Sequence, residues 1–144
     1  MKLQSNLIDC FASADRRFTQ FTQKFEEFVD ALEFFNEQRC PVSGIVITKT
    51  DDPLVVQATY RTVSVSVRML CELSETSVAT ARVVCILEKP SFQTEKRRVG
   101  SFTYNGQGMA NFEASDGSDP IEVQYMAPEI MLNFLHSALQ QSAA

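Results

Sequence analysis

The sequence predicts an α+β fold with a long N-terminal helix, about six mostly antiparallel curved strands and a C-terminal helix, all within one domain spanning residues 1–144. Three observations predict it. From Leu7 to Phe35 apolar residues recur at alternating spacings of four and three, which is one face of a helix. After Pro41 the apolar period falls to two, and clusters of Pro, Gly, Asn, Asp and Ser divide it into strands. Beyond Pro128 the helical period returns.

The first stripe is Leu7, Phe11, Ala14, Phe18, Phe21, Phe25, Phe28, Leu32 and Phe35. Asn6 is suited to the N-cap and Asp9 to the first turn, where a negative charge meets the positive end of the helix dipole. Arg39 suits the last turn, and Pro41 stops the helix by biasing Cys40 away from helical angles. At about 1.5 Å per residue, Leu7 to Phe35 spans roughly 43 Å. A compact chain of this size has a diameter of roughly 37 Å. Such a helix must span its sheet edge to edge, break in two, or reach a partner. Ser13-Ala14-Asp15 is the weakest point for a break, because two poor helix formers sit close together there.

The strands follow in order. Gly44 to Thr50 is the first, closed by Asp51-Asp52-Pro53. From Leu54 the apolar positions are even, through Val56, Ala58 and Tyr60. From Val63 they are odd, through Val65, Val67, Met69, Cys71 and Leu73. With no Gly or Pro between the runs, a bulge or bend near Arg61-Thr62 in one long curved strand is expected in place of a tight hairpin. Ser74 to Ser77 then turns the chain into Val78–Glu88, apolar on both faces and so expected at the centre of the sheet. Lys89 to Lys96 is a polar loop. Val99–Tyr104 leads into Asn105-Gly106, the preferred pair for a type I′ hairpin, and Met109–Ala114 returns. A turn at Asp116 to Pro120 precedes a short strand, Ile121–Tyr125. The last helix opens with Pro128 and Glu129 and turns Ile130, Met131, Phe134, Leu135, Ala138 and Leu139 inward.

Composition narrows the function. The chain is 44% hydrophobic and 22% charged, with a net charge of -5 and a pI near 4.9. Such a balance disfavours nucleic acid and anionic membrane, both of which need clustered Lys and Arg. No apolar run is long enough to cross a bilayer, and Met1 to Cys10 lacks the apolar core of an export signal, so a cytoplasmic setting is expected. Cys10, Cys40, Cys71 and Cys85 form no C-x-x-C, and the single His is distant, so no metal or cofactor is expected and the thiols are expected reduced.

Individual motifs carry little chemistry. Asn105-Gly106-Gln107-Gly108 precedes a strand and not a helix N-terminus, so it is no phosphate loop. Asp51-Asp52 and Asp116 with Asp119 flank Pro turns, where Asp serves local hydrogen bonding, and neither set has the ligands for Ca²⁺. Lys96-Arg97-Arg98 fits strand-edge protection. His136, on the last helix, has no second His and no nucleophile motif near it in sequence, so a non-enzymatic role is expected.

What remains is the phenylalanine stripe. It is expected to cover the concave face of a curved sheet, with part of it free as a homodimer seam or partner groove. Phe18, Phe21, Phe25, Phe28, Val29 and Phe34 are the candidate interface or pocket residues, Phe34 lying opposite the stripe and Val29 beside it. A plain coiled coil is disfavoured: Phe is too bulky to repeat down its seam, and Arg17 and Lys24 would face Thr22 and Val29, not acids. The expected function is a non-catalytic protein-interaction module, homodimeric and of an accessory, chaperone-like or immunity type. The alternative is a binder of an apolar small molecule in a pocket between curved sheet and helices, for which 11 Phe and 5 Met are suited.

Overall fold

In a computed structural model, describing residues 5–76, 78–88, 97–112 and 121–142, the strands pair strictly in chain order. They are β1 (Ile45–Lys49), β2 (Val55–Tyr60), β3 (Val63–Leu73), β4 (Ala79–Glu88), β5 (Arg97–Tyr104), β6 (Met109–Phe112) and β7 (Ile121–Glu122), all antiparallel. The sheet curls into a half-barrel. A long helix, α1 (Ser5–Ala31), and a second, α2 (Ala127–Ser142), pack against its inner face. The expected α+β architecture is therefore present, with β4, apolar on both faces, fourth of seven. Asp116 to Pro120 and Lys89 to Lys96 lie outside the described residues.

The seventh strand arises where one curved strand was expected. Tyr60 pairs directly with Val63, so Arg61-Thr62 is a two-residue hairpin turn and not a bulge. Such a turn pairs residue i with i+3 and puts both on one face. That is why the apolar parity changes from even to odd. Arg61 itself takes φ +56°, so the left-handed position is filled without the usual glycine.

The Asn105 turn differs in the opposite sense. Neither Asn105 nor Gly106 has positive φ, which excludes type I′; Gly108 does, at +79°. The connection is Asn105 to Gly108, closed by Gly108 N donating to Asn105 O at 2.9 Å. The Asn105 Oδ1 accepts from Gln107 N at 3.0 Å and Met109 N at 3.1 Å, so the side chain shapes the longer turn. An added Cβ at Gly106 would lie 2.6 Å from Gln20 Oε1, the end of an exposed side chain of α1 that is free to turn aside.

Helix ends also moved. Asn6 lies within α1 and does not cap it, and the helix runs unbroken through Ser13-Ala14-Asp15. It tightens later, into a 3₁₀ segment at Leu32–Asn36, and Glu37 is already extended, so Arg39 and Pro41 lie beyond its end. The 3₁₀ geometry aligns residues three apart, which lets Leu32 and Phe35 both be buried.

The core forms where both helices meet the sheet. Phe102 of β5 has its ring centroid 6.4 Å from Phe28 of α1 and 6.1 Å from Phe134 of α2. Beneath lie Val56, Val65, Val67, Met69 and Val83, all essentially inaccessible. Cys85 pairs with Gly100 but Ile86 with Arg98, so Val99 is an extra residue that bulges β5 and bends it.

Candidate interaction surface

The stripe of α1 divides into two parts. Phe21, Phe25 and Phe28 are wholly buried in the chain's own core, and Val29 is 8% exposed. Phe18 and Phe34 are half-buried and pack against that core. Phe34 stands edge-on to Phe35 at 5.6 Å, since the 3₁₀ segment turns it back from the opposite side of the helix. The candidate residues thus gather along the concave face, covering the sheet.

The same stripe continues without cover. From Asn6 to Ser13 no residue is buried, and Leu7, Ile8 and Phe11 are 53%, 53% and 61% exposed. Ala14 is buried, and the buried series resumes at Phe21. The helix leaves the sheet at a definable place. Gln20 sits on Gly106 in the β5–β6 turn, and the Tyr104 hydroxyl donates to the Phe21 carbonyl at 2.7 Å. Tyr104 pairs with Ala81, and Ala81 with Cys71; one row further out Ala79 is still buried, whereas its partner Leu73 is exposed.

That end of the sheet is open too. Cys71 and Leu73 share the inner face with Met69 and Val67, yet Met69 is buried whereas Cys71 is exposed and Leu73 is 38% exposed. Across the β3–β4 hairpin Val78 is 56% exposed. Exposed apolar residues on the overhanging helix and on this hairpin therefore lie at one end of the molecule. The hairpin adds two acids. Arg82 Nε contacts both Glu72 carboxylate oxygens at 3.0 Å, whereas Glu75 is exposed and makes no ion pair among the described residues. Arg16 and Arg17, exposed on α1, make none there either.

Two concavities lie elsewhere. A groove of about 480 Å³ runs between α2 and the β1–β2 end of the sheet, lined by Val42, Ile45, Tyr60, Leu132, Leu135 and Leu139. One wall adds Glu129, Asn133 and His136, successive turns of α2. A second hollow of about 300 Å³ lies between α1 and the β1–β2 turn, with Glu26, Asp30, Asp51 and Asp52 around Lys49. Lys49 reaches Asp30 at 3.2 Å. Asp52 serves its turn, accepting from Leu54 N at 2.9 Å, the local role expected of it.

Reactive chemistry is sparse. Burial raises the Cys85 thiol and the Tyr104 phenol far above their usual ranges, the nearby Cys71 adding to the second, so both stay protonated. Partial burial raises the Cys71 thiol also, its sulfur lying 3.8 Å from Met69 Sδ. A raised thiol is a poorer nucleophile at neutral pH. All four cysteines are free. Among the described residues no cluster of His, Cys, Asp and Glu has the form of a metal site, and no helix is long and apolar enough to cross a membrane.

Leu7 and Phe11 belonged to the sequence stripe without being singled out. The signal that finds them is arithmetic, a helix longer than the body it covers. Leu73 and Val78 had no such signal. No protein-family model, curated protein or solved structure matches the chain.

Proposed function

We propose that the protein is a non-catalytic interaction module, working as a homodimer through the uncovered end of α1. The observation that carries this reading is the divided stripe: one apolar helix face is buried in its own sheet and then continues into solvent at Phe11 and Leu7, with Ile8 exposed beside them. A contiguous exposed apolar face on a helix favours a protein partner over water. An accessory, chaperone-like or immunity-type role would use such a face to bind and shield another chain. Sedimentation over a wide concentration range tests the reading, and a monomer throughout would remove the homodimer.

The groove beside α2 favours a second reading, a binder of small amphiphiles. Its volume is that of a small-molecule site, and its polar residues lie on one wall. Thermal-shift measurements with decanol, decylamine and decanoate test it, and no stabilisation by any of them at high excess removes it.

A further inference from the structure

Resting on the homodimer reading, we infer that the overhanging turns of α1 dock on the open β3–β4 end of a second copy, reciprocally about a two-fold axis. The two surfaces are a matched pair on one chain. The overhang presents Leu7 and Phe11 on the face that further along the helix rests on the sheet. The open end presents Cys71 and Leu73 on the sheet face that further along lies under α1 and α2. Each overhang would continue on the copy the packing that α1 already makes at home.

Because both surfaces lie at the same end, a two-fold axis there sets two open ends against each other and passes each helix over the other sheet. The contact is then isologous and closed. From Asn6 to Ser13, where no residue is buried, the overhang is about 10 Å long at about 1.5 Å per residue. A stable dimer buries on the order of 1,200–2,000 Å², which the two reciprocal contacts would share.

Charge agrees with this arrangement. Arg16 and Arg17 are exposed on α1 between buried Ala14 and half-buried Phe18, at the base of the overhang, and Glu75 is at the tip of the receiving hairpin. Abutting the two ends brings the arginines of one chain toward Glu75 of the other. No Lys or Arg lies between Leu70 and Val78 to oppose them. Charge pairing of this kind selects the partner and its orientation.

Sedimentation equilibrium and light scattering of the whole chain test the geometry. The wild type is expected to dimerise. Phe11→Glu and, separately, Leu73→Glu should each raise the dimer dissociation constant by roughly 30-fold or more, with unchanged circular dichroism, because neither side chain is buried. Arg16→Glu with Arg17→Glu should weaken association about tenfold at low salt, and adding Glu75→Arg should restore it. A wild-type dimer indifferent to both Phe11→Glu and Leu73→Glu overturns this docking while leaving the homodimer reading intact. A wild type monomeric at every concentration overturns both, and assigns the exposed face to a different protein.

Discussion

The Tyr104 hydroxyl donates to the Phe21 carbonyl at 2.7 Å, and the two rings stand edge-on with centroids 5.9 Å apart. One residue of β5 thus grips α1 by both an apolar and a polar contact, at the row where the helix leaves the sheet. Tyr104→Phe keeps the ring and removes the hydrogen bond. The Phe21 carbonyl keeps its place in the helix, so the loss should be modest, about 1 kcal/mol by urea unfolding. Phe21→Ala removes a fully buried ring and should cost about 3–5 kcal/mol.

Alkaline pH should weaken the fold through the same tyrosine. Burial raises the Tyr104 phenol above 10.0 and the Cys85 thiol above 9.0. In the unfolded chain these groups ionise near their ordinary values, while in the folded chain they remain neutral. The unfolded state then holds fewer protons, so stability falls as pH rises. Their contribution is complete below about pH 8, and each group removes about 1.4 kcal/mol per pH unit above its unfolded value. Denaturant midpoints should be level with respect to these two groups from pH 7 to 8 and fall between 9 and 11. Tyr104→Phe should shallow the fall that begins near 10; an unchanged slope would refute the assignment.

The architecture was legible because period is a local property. Phe21, Phe25 and Phe28 recur at helical spacing whatever they pack against, and the alternation of Ala79 to Leu87 shows a strand before its partners are known. Turns were less legible because φ is set by the hairpin as a whole. Arg61 occupies a left-handed site that its identity disfavours, while Asn105-Gly106 avoids one that it favours. The candidate surface was half legible. The stripe from Leu7 onward is plain in the sequence, but which of its residues the sheet covers depends on where β3 and β5 end. That is a tertiary fact with no local mark.

Arg61 should be replaceable with profit. At φ +56° an L-residue crowds its own carbonyl, at a cost of about 1–2 kcal/mol that Asn tolerates better. The guanidinium lies 5.9 Å from the Tyr60 ring centre, an exposed cation–π contact worth about 0.5–1 kcal/mol. The two effects oppose each other, and relief of strain is the larger. Arg61→Asn should therefore raise stability by about 0.5 kcal/mol, and thermal unfolding with a lowered midpoint would show that the contact outweighs the strain.

Phe134 of α2 packs directly on Gly100 of β5, and substitution of the glycine tests whether that contact is rigid. A Cβ there would lie 2.9 Å from Phe134 Cε1 and 3.1 Å from Cδ1. Phe134 cannot simply swing away, because its ring stacks on Phe102 with an interplanar angle of 22°. The backbone has little freedom either, since Gly100 pairs with Cys85 beside the Val99 bulge. Gly100→Ala should therefore destabilise the protein by about 1–3 kcal/mol, the usual cost of overpacking. Phe134→Leu should also destabilise it alone, by loss of the stack. Combined, the two changes should cost less than their sum, because the smaller side chain makes room for the new methyl. A double-mutant cycle by urea unfolding measures this coupling. Additive losses would mean that Gly100 is required for the bulge and not for the approach of α2.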